Sequence, residues 1–216
     1  MGALFARSQS VGVAGMSKTN DTRVRCSWVG EDAEYLRYHD EEWGVPLKTD
    51  RAIFEKLVLE GFQAGLSWIT ILRKRENFRR AFDKFDPERI AKYGTKDVAR
   101  LMADAGIIRN RAKIEATIDN AKAYLKLRER TSLKTFMQNF LGKEGPVQNR
   151  ARAMGDIPAE TELSKRISKA LKAEGFRFVG PTTMYAFMQS AGMVNDHLVG
   201  CFRHAECAKL QQASAK

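Results

Sequence analysis

The chain has 216 residues, 44% apolar and 29% charged, enough for one sizeable core that two lobes can share. No apolar run approaches the ~18 residues of a membrane-spanning helix, so a soluble protein is expected. Lys and Arg number 37 against 26 acidic residues, a formal charge of +11. That surplus favours a polyanionic partner such as nucleic acid, although solubility alone can also account for it.

Residues 1 to about 22 are rich in Gly, Ser, Ala and Thr and lack helical periodicity, so a disordered tail is expected there. No continuous apolar segment follows Arg7, which argues against a secretory signal. Thr49-Asp50 then caps a helix whose Ile53, Phe54, Leu57, Val58 and Gly61 recur at helical spacing. Further helices are predicted over 67–83, 95–104, 109–128, 132–141, 161–173 and 181–191, with a short one near 195–203. The Gly- and Pro-punctuated stretch 142–160 reads as a connecting loop. No two-residue alternation of useful length appears, so the fold class is all-α. The expected plan is a tail over 1–22, one domain over 23–207 and a flexible C-terminal tail over 208–216.

From Leu163 to Ser190 the pattern is two helices joined by a tight turn. Leu163, Ile167, Ala170 and Leu171 form an apolar stripe, and Gly175 supplies the left-handed residue that ends a helix. Phe176, Phe178 and Val179 fold back as apolar anchors. Gly180-Pro181 opens the next helix, with proline at the first position, where its missing N–H costs nothing. Gly180 admits close backbone approach, and the free amides of a helix N-terminus suit a phosphate. Many helical hairpins merely pack. Here Lys165, Arg166, Lys169, Lys172 and Arg177 surround the turn, against Glu162 and Glu174, so a sequence-independent grip on DNA is expected around Gly175, Phe176, Val179 and Gly180.

Three cysteines make no disulfide framework and point to a reducing compartment, the cytoplasm. His197 and Cys201 stand at i and i+4, side by side if helical, and Cys26 and His39 form a second pair near the folded start. The two pairs can close a Cys2His2 site with no open position, structural rather than catalytic. A rival set is His197, Cys201, His204 and Cys207. One continuous helix cannot wrap four ligands around an ion, so His204 and Cys207 are assigned to an unstructured end.

Glu60 falls at the margin of an apolar helix face, either a solvated flank or a group aimed into a pocket. Trp68 follows across Gly65, and the first third of the chain holds all three tryptophans, with Tyr35 and Tyr38 among them. Such aromatics serve a core as readily as a binding site.

Several long motifs stand together in one order: Arg25-Cys26-Ser27-Trp28, Tyr38 to Pro46, Glu60 to Trp68, Lys74-Arg75-Glu76-Asn77, Ala105 to Arg109, Phe178-Val179-Gly180 and Val194 to Cys201. Over about 23 to 203 they resemble the type I 3-methyladenine DNA glycosylases. The resemblance implies a helix-hairpin-helix glycosylase fold and a structural Zn2+ held by Cys26, His39, His197 and Cys201. It implies a base pocket of Glu60, Tyr38, Trp28 and Trp68, with Gln63 or Leu66 filling the gap that a flipped nucleotide leaves. The implied activity is base excision of 3-methyladenine from alkylated double-stranded DNA by a monomer of the bacterial cytoplasm. Many helix-hairpin-helix glycosylases carry a catalytic aspartate after the hairpin; Asp196 stands near that slot but is read as a cap on the final helix. No lysine there can form a Schiff base, so strand cleavage is not expected.

Overall fold

The computed structural model describes residues 22–214, and the tail expected over 1–22 lies outside them but for its last residue. From there the elements are α1 (Ala33–Glu41), α2 (Asp50–Gln63), α3 (Trp68–Leu72), α4 (Arg75–Ala81), α5 (Pro87–Ile90), α6 (Thr95–Ala103), α7 (Arg111–Arg128), α8 (Leu133–Gln138), β1 (Val147–Gln148), α9 (Glu162–Ala173), α10 (Pro181–Ser190), β2 (Val194–Asn195) and α11 (Arg203–Ser214). The all-α expectation holds. The only strands among the described residues are the two-residue β1 and β2, paired in parallel with Val147 opposite Val194.

Thr49 caps α2 as expected, its Oγ1 accepting from the Ala52 N–H at 3.2 Å. Asp50 has a different task. Its carboxylate accepts from the N–H groups of Leu133 and Lys134, at 3.0 and 2.9 Å, and so also caps α8. Beyond its first turn α2 is enclosed on nearly every side: Ile53, Phe54 and every residue from Lys56 to Phe62 are buried. Helices α3, α7, α8 and α10 all pack on it. Glu60 therefore does not sit at a margin, because the helix has no solvent-facing side at that turn.

The helix expected over 67–83 breaks at Arg73-Lys74 into α3 and α4, and Asp83, Lys84 and Phe85 turn through positive φ. Aromatic burial drives this compact path. Phe78 packs on Phe62 at 4.7 Å between ring centroids and stacks on Phe82, which stacks in turn on Phe85. Helix α1 gives no long apolar stripe. It is begun by Asp32, whose carboxylate accepts from the Glu34 and Tyr35 N–H groups at 3.0 and 3.1 Å.

The largest departure lies at the C-terminal end. No helix spans 195–203; β2 leads into turns, and α11 then runs from Arg203 to Ser214, burying Cys207 and Gln211. Polar contacts with distant residues decide this. Gln211 Nε2 donates to the Gly44 and Val194 carbonyls at 2.9 and 3.3 Å, and its Oε1 accepts from Gln148 at 2.7 Å. Asn195 Nδ2 donates to Gln148 Oε1 and to the His204 carbonyl, at 3.0 and 2.9 Å. These bonds anchor the segment that the sequence leaves loose.

The two-helix unit over 163–190 is present as α9 and α10 joined by residues 174–180. Gly175 takes φ +95°, and Pro181 is the first residue of α10. Because α10 packs on both α9 and α2, the hairpin is seated directly on the helix that carries Glu60.

Candidate active site and metal centre

Four side chains from three places in the chain converge on one point. Cys26 precedes α1, His39 lies in its last turn, and His197 and Cys201 lie in the turns between β2 and α11. All four are buried, and their ligand atoms lie within 4.8 Å of one another. Cys201 Sγ stands 3.4 Å from His39 Nε2 and 3.7 Å from His197 Nδ1, which is itself 3.7 Å from Cys26 Sγ. Ligands around a tetrahedral zinc, with bonds of about 2.3 Å to sulfur and 2.0 Å to nitrogen, sit roughly 3.5 Å apart. The donor set fits such an ion and leaves no open position.

The second nitrogen of each imidazole is also held. His39 Nδ1 lies 2.8 Å from Asp40 Oδ1, and His197 Nε2 lies 3.1 Å from the Trp43 carbonyl. Arg25 fixes Asp40 in turn, with Nη2 at 2.7 Å from Oδ2. Partners of this kind orient metal-binding imidazoles. His197 and Cys201 do meet, but across a turn rather than along the helix face suggested by their spacing. His204 and Cys207 stand outside the cluster. His204 Nε2 lies 3.0 Å from the Asn149 carbonyl, and the buried Cys207 thiol, pushed up to about 11 by burial, points at the Trp43 carbonyl.

A cavity of about 340 Å³ opens between α1, α2, α3 and α10, walled by Trp28, Tyr35, Tyr38, Trp43 and Trp68, with Glu60 among its lining residues. Trp28 meets Trp43 edge-on at 5.1 Å, and Tyr38 lies 5.4 Å from Trp68. Glu60 is 3% exposed, and Ser190 Oγ donates to its Oε1 at 2.7 Å. Burial pushes this carboxyl up to about 7, while Lys56 and the Ser190 hydroxyl pull it down. The indole N–H of Trp68 is buried without an acceptor among the described residues, a donor that a bound ligand can satisfy. A second cavity, of about 380 Å³, lies between α2, α8 and α10; among the described residues its only charged lining residue is Lys134, and no carboxylate lines it.

Two residues of this site escape a motif-based reading. Ser190 ends α10, and its proximity to Glu60 is purely tertiary. Lys56 left one trace in the sequence, its place four residues before Glu60 on the same helix. Asp196 does not cap α11. It is buried and accepts from Tyr185 Oη at 2.7 Å, Gln189 Nε2 at 2.8 Å and Asn149 Nδ2 at 2.6 Å, joining α10 to β1 and β2.

Around the hairpin turn, Phe176 and Val179 are 3% and 1% exposed, so neither side chain is available to a ligand. A Cβ added at Gly180 meets nothing within 4 Å. Asn120 clamps the turn, accepting from the Arg177 N–H at 2.6 Å and donating to its carbonyl at 3.1 Å. Lys165 and Arg177 pair with Glu162 and Asp119, whereas Arg166, Lys169 and Lys172 form no ion pair among the described residues. Gln63 lines the cavity, and Leu66, 41% exposed, follows it across the Gly65 turn.

The methyladenine glycosylase family model matches residues 28–204. DNA-3-methyladenine glycosylase 1 of Escherichia coli (strain K12) is 50% identical over 178 residues, covering 82% of this chain and 95% of that protein. A crystal structure of 3-methyladenine DNA glycosylase I superposes with a TM-score of 0.82 at 49% identity, covering 84% of this chain and 100% of that one. A variant of 3-methyladenine DNA glycosylase I in complex with 3-methyladenine superposes at 0.79 with 36% identity, over 82% and 96% of the two chains.

Two outcomes are expected from this geometry. Cys26→Ser should lose stoichiometric metal and several kcal/mol of stability, about 3 or more, while Cys207→Ser keeps its metal, as metal analysis and thermal denaturation will record. The second concerns Glu60, whose charged form is disfavoured in the fold. The parent therefore loses stability as pH rises from about 4.5 to 7, by about 3 kcal/mol in all. Urea unfolding of Glu60→Gln should show no such loss, so the variant gains on the parent by that amount between pH 5 and pH 8.

Proposed function

This chain belongs to the methyladenine glycosylase family, its activity is removal of 3-methyladenine from alkylated DNA, and we propose that Glu60 is the group that recognises the damaged base. The observation that carries this reading is a buried carboxylate in an aromatic-walled cavity. Methylation at N3 makes adenine cationic and a good leaving group, so strong acid catalysis is unnecessary. What the pocket must do is tell a positive purine from a neutral one. Glu60 offers a negative hydrogen-bond acceptor to the edge of the base, with Tyr38 beside it. Trp28 and Trp68 supply ring faces, on which a cationic purine is held more strongly than a neutral one.

The base must leave the duplex to reach this cavity. Leu66, exposed beside the cavity-lining Gln63, is placed to fill the gap that it leaves. The turn between α9 and α10 acts as a helix-hairpin-helix grip. Backbone amides near Gly180 meet a phosphate, and Arg166, Lys169 and Lys172 add positive charge. Gly175, Phe176 and Val179 shape that turn rather than touch DNA through their side chains. Cys26, His39, His197 and Cys201 would hold zinc in a structural role, and the ion would crosslink the N-terminal segment to the approach to α11 without offering a reactive position. No lysine lines the Glu60 cavity among the described residues, so the expected product is an abasic site without strand cleavage.

Glu60→Gln should bind methylated duplex DNA normally yet release 3-methyladenine about 100-fold more slowly, measured by single-turnover assay and identification of the freed base. Excision at the parent rate removes Glu60 from the reaction. At the hairpin, Gly180→Val should unfold within about 0.5 kcal/mol of the parent but bind duplex DNA roughly tenfold more weakly. Unchanged affinity in a titration at fixed salt rules out close backbone approach there.

A further inference from the structure

Lys56 is a lysine with 7% exposure, and among the described residues no carboxylate lies within ion-pair distance of it. It stands one helical turn before Glu60, so both side chains leave α2 on the same side. Its Nζ lies 5.0 Å from the Tyr38 ring centre, 4.9 Å from that of Trp68 and 3.5 Å from Tyr38 Oη. Lys56 does not line the cavity that contains Glu60. It borders a separate cavity of about 230 Å³ together with Glu42, Glu55 and Arg75, and Ser190 lines both spaces. A base entering beside Glu60 therefore has no reason to displace Lys56.

We propose that Lys56 is a positioning residue of the excision reaction, a cation held behind the aromatic wall that keeps Glu60 in the carboxylate form required by a positively charged base. The proposal rests on Glu60 as the base-reading group. Burial alone drives Glu60 toward its neutral acid, which has no net charge with which to select a cation. Ser190 donates one hydrogen bond to it, and the Tyr38 phenol lines the same cavity. Around Lys56, Glu42 is bound by Arg75 and Glu55 by Arg79, so neither acid is free to claim the ammonium. Lys56 is thus the cation that favours an ionised Glu60. Burial holds the Lys56 ammonium below its ordinary range, an effect that Glu60 and Glu42 offset in part. The two groups on α2 sustain each other's charge.

The test is the pH profile of single-turnover excision on methylated duplex DNA, from pH 5.5 to 9, for the parent, Lys56→Met and Lys56→Arg. The acid limb of Lys56→Met should move up by about one to three pH units, with activity recovering toward the parent at high pH. Lys56→Arg, which keeps the charge, should stay within half a unit of the parent. A Lys56→Met profile lowered equally at every pH, with an unmoved midpoint, overturns the proposal. Should Lys56→Met not fold, Lys56→Gln with a carbon NMR titration of the Glu60 carboxyl replaces it. A midpoint equal to the parent's overturns the proposal, and a raised one supports it. If instead Glu60→Gln excises at the parent rate, the reading of Glu60 itself fails, which is a different result.

Discussion

A carboxyl group buried on a helix with no solvent-facing side is the constraint around which this molecule is arranged. Helix α2 is wrapped by α3, α7, α8 and α10, and its interior turn carries both Lys56 and Glu60. Burying an ionised carboxylate costs several kcal/mol unless charge and hydrogen bonds compensate it. Here the compensation is incomplete: one hydroxyl, one nearby ammonium and an aromatic wall leave Glu60 titrating near neutrality. A group disfavoured in the free protein is suited to a ligand that brings the missing positive charge.

The rest of the fold supports that arrangement. Tyr38, which stands against Trp68, is supplied by α1, and His39, the next residue, joins the Cys2His2 cluster. Trp43, whose carbonyl meets His197, also lines the cavity. The Cys2His2 cluster therefore braces the same short segment that supplies aromatic rings to the cavity wall. Ser190 couples the pocket to the hairpin, since α10 begins at the turn near Gly180 and ends at the hydroxyl that binds Glu60. The hairpin turn and the hydroxyl bound to Glu60 thus lie at opposite ends of one ten-residue helix.

Much of this was legible before any coordinates. Thr49 marked the start of α2, Gly175 and Pro181 bounded the hairpin, and the motifs around Cys26, Tyr38, Glu60 and His197 carried the family resemblance. Other readings were overturned. Asp196 was read as a helix cap and is a buried acceptor for three side chains. The segment holding His197 was read as helix and is a set of turns, and the end assigned to disorder is α11. In each case the deciding bond partner is far away in sequence, as Gln211 is from Gly44.

By itself the sequence determined what depends on neighbours along the chain: where helices start and stop, which residues have metal-ligand chemistry and which carboxylate stands near an apolar stripe. Caps, turns and periodicity act over a few residues, so they can be read directly. Only the tertiary structure decided how deeply Glu60 is buried, that Ser190 and Lys56 flank it, and that Phe176 and Val179 face inward. Burial and electrostatic environment are set by atoms from remote segments, and no local pattern encodes their distance.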